Sequence, residues 1–524
     1  MPACYDKLRR TKPAWLQCPG GGPSYNRPMP LSAPLFSPSS PNALDLPLLH
    51  GLNPEQLAAV TLPQGHALIL AGAGSGKTRV LTTRMAWLMQ TGQASPASIL
   101  AVTFTNKAAK EMTTRLSSLI SINTRHMWVG TFHGLCNRFL RAHYRDANLP
   151  ATFQILDTQD QLSAIKRLLK SMNIDTERYP PKQVQYFING SKEEGLRAHD
   201  IEPSDPFQRR MQEIFTGYEA QCQREGVVDF PELLLRSYEV LNHNEALRTH
   251  YQNRFSHILV DEFQDTNALQ YAWLKLLTGK HTAVMAVGDD DQNIYAFNGS
   301  SNEYIHRFCE DYGVAEPDFL TFNYRSSQHI ISAANSVMNT QPGRLKALHP
   351  IVINPERQKQ PNGGIWAERD AQRQGRVRVL CLPQQGRRKQ KNNRQAQAVA
   401  AEIRRLQALG AECAEMAVLA FHNDTLKPVQ AWCEQTDTAY FKKSSLRPSR
   451  LRQFVRLLDE LEKSDQAALT ASTFVRLIRQ QQVGDEWRQH FDEMREDFLQ
   501  EHGMPSESHA AEVCYSVEYL KSWL

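Results

Sequence analysis

ILVDEFQDTN, Ile258–Asn267, runs from an apolar stretch straight into two acids, Asp261 and Glu262, followed by Gln264 and a third acid, Asp265. An apolar strand that delivers acids to its carboxyl end is how a parallel α/β sheet presents its chemistry. One acid of such a pair can hold a hydrated metal ion, and its neighbour can take a proton from water. Upstream, AGAGSGKT (Ala71–Thr78) follows the apolar stretch HALILA (66–71) and opens a helical pattern at about Lys77. Within the run Gly72, Ala73, Gly74, Ser75, Gly76, the glycines let backbone N–H groups approach phosphate oxygens. Lys77 is suited to neutralising β- and γ-phosphate charge and Thr78 to ligating Mg²⁺. The helix that follows adds the positive end of its dipole. Loop and acids together describe hydrolysis of a nucleoside triphosphate, with Asp261 and Thr78 on the metal and Glu262 as base for the attacking water.

Working outward, SILAVTF (98–104), MWVGTF (127–132), TAVMAVGD (282–289) and DFLTF (318–322) are further apolar stretches that alternate with helical patterns. Uniformly apolar strands in strand–helix alternation predict a parallel sheet covered on both faces. The alternation stops between about 144 and 227. LDTQDQLSAIKRLLKSM and DPFQRRMQEIFTGYEAQCQREG there have amphipathic helical spacing. This predicts a helical domain inserted into the sheet domain, with the sheet resuming near Val228–Leu235.

Residues 1–48 are rich in Pro, Gly and Ser and are expected to be disordered. Residues 340–364, with four prolines and Gly363–Gly364, read as a linker. VRVLCLP (377–383), MAVLAF (416–421) and TAYF (438–441), with helices expected near 395–409 and 424–435, suggest the opening of a second α/β domain. The expected organisation is a 1–48 extension, a first domain of 49–143 and 228–335, an insert of 144–227, a linker and partial second domain over 336–445, and a charged helical tail over 446–524.

The bulk numbers restrict the class. A length of 524 residues suits roughly three to four domains. The net charge of +5 permits a polyanionic partner without requiring one. The nine cysteines contain no CxxC pair, which argues against a zinc site or an iron–sulfur cluster and for the reduced thiols of a cytoplasmic protein. No apolar run approaches the ~18 residues needed to span a bilayer, and no apolar segment behind the N-terminal charges marks a secretory signal.

Three further segments leave strand ends with groups suited to a nucleotide or a nucleic acid. In GDDDQNIYAFNGS (288–300), Gln292 can hydrogen-bond a γ-phosphate and Phe297 can stack on a base. Five residues of extended chain between them span at most ~18 Å, so one segment can touch both ligands. Tyr295 and Phe297 would serve equally as core aromatics. In TFTNKAAKEM (103–112) and TFHG (131–134), Phe104 offers a stacking face, and Thr103, Asn106, Lys107 and His133 can bind a sugar–phosphate backbone. His133 is equally suited to a capping role. In FNYRSS (322–327), Tyr324 suits an adenine face and Arg325 a γ-phosphate. The basic run GRRKQKNNR (386–394) reads as a solvated loop.

LNPEQLAAV with Gln56, AGAGSGKTR, AVTFTNKAAKEM, VGTFHG, VDFPELLL, ILVDEFQDTN, VGDDDQNIYAF and NYRS, in this order, resemble superfamily 1 DNA helicases of the UvrD/Rep/PcrA type. The resemblance covers about residues 50–335, and 375–441 more loosely. It implies a P-loop, RecA-like first motor domain and a 3′→5′ translocase that unwinds DNA with ATP and Mg²⁺. Its partners would be single-stranded DNA and DNA junctions, with repair or replication proteins, and no membrane.

It further implies that Gln56 reads the adenine edge, that Arg79 and Tyr324 sandwich the ring, and that Gln292 and Arg325 meet the γ-phosphate. Phe104, His133, Tyr295 and Phe297 would line the single-strand path. Two departures stand out. Phe297–Asn298 replaces the family's Trp-Arg, and no VHxxKGLE-like or RRLxYVAxTRA-like segment follows. The second motor domain is therefore expected to be truncated here, or diverged after about residue 445. An alternative is an ATP-gated single-strand-binding remnant with little hydrolysis, because a transition-state arginine is worth ~10³–10⁵ in rate. A small-molecule phosphotransferase on the same loop leaves the aromatic-bearing segments unexplained.

Overall fold

The computed structural model describes residues 45–120, 124, 127–293, 303–340, 344–346, 348–354, 377, 379–381, 388–436, 438, 440, 468–470 and 514–516. The expectations for residues 1–44, for Tyr295 and Phe297, and for nearly all of 446–524 lie outside them. The chain divides into two units, with the boundary between Val379 and Leu380.

The first unit begins α1 (Pro54–Thr61), β1 (Ala67–Ala71), α2 (Lys77–Gln90), β2 (Ile99–Thr103), α3 (Asn106–Leu119), β3 (Trp128–Thr131) and α4 (Phe132–Ala142). The insert follows as β4 (Gln154–Ile155), α5 (Thr158–Ser171), α6 (Pro181–Glu193), α7 (Pro206–Glu225) and β5 (Val227–Val228). Then come α8 (Phe230–His243), α9 (Glu245–Arg254), β6 (His257–Val260), α10 (Ala268–Leu277), β7 (Ala283–Gly288), α11 (Glu303–Tyr312), β8 (Asp318–Leu320), β9 (Phe322–Asn323), α12 (Gln328–Met338) and β10 (Val352–Ile353).

Six strands form one sheet in the order β3-β2-β6-β7-β1-β8, and every pairing in it is parallel. Successive side chains of a strand point to opposite faces, and here both faces are covered. Leu68, Leu100, Val102, Ile258, Val260 and Val284 join one core with Phe132 and Phe139 of α4, Leu233 of α8 and Trp273 of α10. Ile69, Ile99, Ala101, Leu259 and Val287 join the other with Val60 of α1, Leu81 of α2 and Leu116 of α3. This is why each strand reads as an unbroken apolar run. Because all six strands run the same way, the segments after β1, β2, β3, β6 and β7 leave from one edge of the sheet. That edge gathers the candidate residues.

The insert has its own core, in which Ile165, Leu169, Ile188, Ile214, Phe215 and Tyr218 are buried. It leaves and rejoins the motor unit through a two-residue parallel pairing, Gln154 with Val227 and Ile155 with Val228. Its seam with α8 is ionic and buried. Lys192 Nζ lies 2.8 Å from Asp229 Oδ2 and 2.9 Å from Glu232 Oε2, and the Tyr218 hydroxyl donates to Asp229 Oδ2 at 2.9 Å.

Two local expectations are corrected. Val228–Leu235 does not resume the sheet: Val228 belongs to the β4–β5 pair, and α8 starts at Phe230. Asp229 accepts the Glu232 N–H as N-cap, and Pro231 occupies the first turn, both of which favour a helix start. In the second unit, α13 (Arg388–Ala408) and α14 (Asn423–Gln435) pack through Ala396, Ala400, Val429 and Cys433. β11 (Ala468–Thr470) pairs antiparallel with β12 (Cys514–Ser516). MAVLAF is not a strand, and neither are the described residues 377 and 379–381. A strand needs a neighbour for its backbone N–H and C=O groups. None lies alongside among the described residues, and Leu419 is left 93% exposed.

Candidate active site

The phosphate loop is fastened from behind by the segment after β8. Asn323 Nδ2 donates to the Ala73 carbonyl at 2.5 Å, while its Oδ1 accepts the N–H groups of Arg325 at 2.8 Å and Ser326 at 2.7 Å. The Tyr324 N–H donates to the Gly74 carbonyl at 2.8 Å. Gly74 has φ +75°, and a Cβ on it would stand 2.7 Å from Arg325 Cβ and 2.9 Å from Asn323 Nδ2. Only glycine satisfies both the conformation and the approach. Arg325, exposed at the surface, is thereby held against the loop.

The acids leave β6 opposite this loop. Lys77 Nζ forms an ion pair with Glu262 Oε2 at 2.9 Å. The Thr78 hydroxyl donates to Asp261 Oδ2 at 3.4 Å, and the Glu262 N–H donates to Asp261 Oδ1 at 3.0 Å. Glu262 adopts φ +51° and ψ +46°. A left-handed backbone is uncommon for a residue other than glycine and costs on the order of 1–3 kcal/mol, which surrounding contacts must offset. The conformation turns the chain sharply at the strand end, directly after Asp261.

The two carboxyls are driven apart electrostatically. Burial, and then the charge of Glu262, push Asp261 up to about 6, against smaller opposing effects of Lys77, the Glu262 N–H and Thr78. Burial also acts upward on Glu262, but Lys77, Gln264 and Arg325 outweigh it and hold that carboxyl below its ordinary value. Burial and the Glu262 charge likewise push Asp265 up to about 6. Glu262 is therefore the more acidic of the two carboxyls and is ionised at neutral pH, as a base must be.

Mg²⁺ takes oxygen ligands. Thr78 and Asp261 present adjacent oxygens, and Asp265 Oδ1 is buried without a hydrogen-bond partner among the described residues. Acids raised by burial and then by one another's charge are also stabilised in their ionised form by a cation. The residues present fit the ion.

The turn after β7 is tied to the turn after β6 and to two cations that the motifs do not reveal. Gln264 Nε2 donates to Glu262 Oε2 at 3.0 Å, and Gln264 Oε1 accepts the Asp289 N–H at 2.9 Å. Gln292 Nε2 donates to Asp289 Oδ2, so the group expected at a γ-phosphate rests on an aspartate. The other oxygen of Asp289 is paired with Lys346, which also lies 3.1 Å from Asp291 Oδ2. Arg344 donates to both oxygens of Asp291, from Nε at 2.7 Å and Nη2 at 2.6 Å. Asp289–Asp291 thus forms a carboxylate cluster already compensated by two protein cations. The sequence offered no more for Arg344 and Lys346 than two basic residues in a stretch read as linker.

The groups expected around an adenine meet near the start of α1. Gln56 is buried. Its Nε2 donates to the Ser75 carbonyl at 2.8 Å, and its Oε1 accepts the Asn53 N–H at 3.3 Å. The Tyr324 hydroxyl accepts from Asn53 Nδ2 at 2.6 Å. The Arg79 guanidinium reaches Gly51, where a Cβ would lie 3.4 Å from Nη2. Arg79 and Tyr324 are both exposed.

The residues expected on a nucleic acid divide. Asn106 and Lys107 are exposed at the N-terminus of α3, and Phe104 is half-buried. Thr103 is buried, and its hydroxyl is taken by the Thr105 carbonyl at 3.1 Å, so it offers no donor at the surface. His133 packs edge-on to Phe230 at 6.1 Å between ring centroids. Burial pulls its imidazole below the ordinary value, which favours a neutral ring.

Residues 52–313 match the family profile described as "UvrD/REP helicase N-terminal domain". DNA helicase II of Escherichia coli is 52% identical over 299 residues, 57% of this chain and 42% of that protein. ATP-dependent DNA helicase PcrA of Staphylococcus epidermidis is 41% identical over 293 residues, 56% of this chain and 40% of that protein. A probable DNA helicase II homolog of Rickettsia conorii is 41% identical over 301 residues, 56% and 46% respectively. The chain thus matches less than half the length of each of these relatives.

Proposed function

Because the chain belongs to the UvrD/REP helicase family, we propose that it is an ATP-driven DNA motor. It would hydrolyse ATP with Mg²⁺ and translocate 3′→5′ on single-stranded DNA at junctions, in DNA repair or replication. The observation that carries this reading is the ion pair between Lys77 of the phosphate loop and Glu262 of the acidic strand end. Residues 49–143 and 228–335 would form the first motor domain, 144–227 the insert, and 336–445 the linker and part of a second motor domain.

On this reading ATP takes Lys77 from Glu262. The ammonium moves to the β- and γ-phosphates, and the freed carboxylate is available for the attacking water. Glu262 then receives a proton from that water as it adds to the γ-phosphorus and the bond to the β-phosphate oxygen breaks. Mg²⁺, held by Thr78 and Asp261, would neutralise phosphate charge. Arg325 meets the γ-phosphate from its position against Gly74, and Gln292 does so once Asp289 releases it. Gln56 exchanges the Ser75 carbonyl for the adenine edge, with Arg79 and Tyr324 on the ring faces. Phe104, Asn106, Lys107 and His133 contact the strand, with Tyr295 and Phe297.

Phosphate release with and without single-stranded DNA, alongside unwinding of duplexes carrying 3′ or 5′ tails, tests the proposal. The expected result is DNA-stimulated hydrolysis, lost in Glu262→Gln, and unwinding from 3′ tails. A folded chain that binds ATP and DNA without turnover fails this reading and supports the ATP-gated binding alternative.

A further inference from the structure

Gln264 is 1% exposed and lies in the single 3₁₀ turn Phe263–Asp265 that follows Glu262. Its two ends serve different strands. Nε2 donates to Glu262 Oε2, after β6, and Oε1 accepts from the Asp289 N–H, after β7. β7 ends in a residue with no side chain where Gln264 passes. A Cβ on Gly288 would stand 3.0 Å from Gln264 Oε1 and 3.3 Å from the Gln264 backbone nitrogen. The amide is therefore enclosed, paired at both ends, and accommodated by a glycine in the neighbouring strand.

We propose that Gln264 is a positioning residue for the hydrolysis proposed above, on which this inference rests, and that it acts through Glu262. Lys77 and Gln264 both contact Glu262 Oε2. Lys77 is needed at the phosphates, so its hold on the carboxylate ends when nucleotide binds. The Gln264 amide has no such competing use and keeps the carboxylate in place. A base must lie within hydrogen-bond reach of the water it deprotonates, and misplacement by 1 Å can cost ~10²-fold in rate.

The position requires a donor toward Glu262 and an acceptor toward Asp289, which the primary amide of Gln supplies together. A carboxylate at this position would keep the acceptor and lose the donor. Gln264→Glu therefore preserves the tie to β7 and replaces the hold on the base by repulsion between two carboxylates.

Two measurements on the 524-residue chain test this. In DNA-stimulated hydrolysis, Gln264→Glu is expected to lower kcat at least tenfold while the KM for ATP stays within threefold. An unchanged kcat, or a loss confined to KM, overturns the assignment. The second is a thermal-unfolding cycle without nucleotide. Gln264→Glu is expected to lower the melting temperature by several degrees when Glu262 is intact. In a Glu262→Gln background the loss should be less than half as large, because the amide introduced at position 262 can donate to the carboxylate introduced at position 264. Equal losses in both backgrounds overturn it. A wild-type chain without DNA-stimulated turnover fails the functional reading instead, and the thermal cycle then decides the Gln264–Glu262 link independently.

Discussion

Lys77, at the end of the phosphate loop, and Glu262, just past the end of β6, are joined by a 2.9 Å ion pair. The group suited to phosphate and the group suited to water hold each other. Glu262→Gln breaks that pair. Loss of a general base costs typically 10²–10⁴-fold, so phosphate release should fall by about that factor. Nucleotide affinity should not fall, because Lys77 loses a competing carboxylate. Fluorescent-nucleotide titration beside a phosphate-release assay separates the two effects. Weaker binding with intact turnover would contradict the assigned role.

Asp261 gives a pH-dependent prediction. Its carboxyl is pushed up to about 6 from the ordinary 3.8. A raised carboxyl pKa means that the folded state binds the proton more tightly. Its stabilising contribution is full below about pH 4 and is lost as the pH rises through about 6. Asp261→Asn should therefore stabilise the nucleotide-free chain at pH 8, by about 1–3 kcal/mol, and by about half as much at pH 5, while hydrolysis is lost. Urea denaturation at the two pH values checks this. A gain larger at pH 5 than at pH 8 would contradict it.

Lys346 is 3% exposed and faces Asp289, Asp290 and Asp291. Burial acts to lower its ammonium pKa, yet the three aspartates raise it above its ordinary value. Removing one partner of a buried ion pair costs about 3–5 kcal/mol. Lys346→Met should lose that order of stability in equilibrium unfolding. Lys280→Met, at an exposed site, should stay within about 0.5 kcal/mol of the parent. Equal effects would show that the cluster does not depend on Lys346.

Asn323 joins the phosphate loop to the segment carrying Tyr324 and Arg325. Asn323→Ala leaves the Ala73 carbonyl and two part-buried N–H groups without this partner, at about 0.5–1.5 kcal/mol, and should raise the KM for ATP severalfold. Asn323→Asp keeps the acceptor for both N–H groups but sets a carboxylate against the Ala73 carbonyl. It should raise KM at least as much while losing less stability. Calorimetry and ATP-dependent kinetics distinguish these results.

The sheet was legible because each central strand is buried on both faces and reads as a continuous apolar run ending in chemistry: Ala71 before the phosphate loop, Val260 before Asp261. Val228–Leu235 misled because an apolar run does not distinguish strand from buried helix. The cap at Asp229 and Pro231 carried the deciding signal. MAVLAF misled because propensity is local and strand pairing is not. Gln264, Asn323 and Lys346 were missed for a related reason. The partners that place them lie 25, 250 and 57 positions away, and although Gln264 and Asn323 stand inside the quoted motifs, no local signal shows those pairings. Motif reading finds residues that chemistry requires by type. These three matter by placement.

The clasp of Gln154–Ile155 with Val227–Val228 makes the insert a closed excursion from the chain's path. Its ends meet at the ~4.8 Å spacing of neighbouring strands, so residues 156–226 enter and leave at nearly one point. The entropy of closing a loop grows only as the logarithm of its length. Lengthening or shortening the connections beyond the clasp therefore burdens the parent sheet little, so long as Lys192 and Tyr218 keep their buried contacts with Asp229 and Glu232. Such a junction is a grafting point, where a foreign domain whose termini lie close together can be spliced without re-registering a strand of the motor, provided that Asp229 and Glu232, which lose Lys192, are made neutral with it.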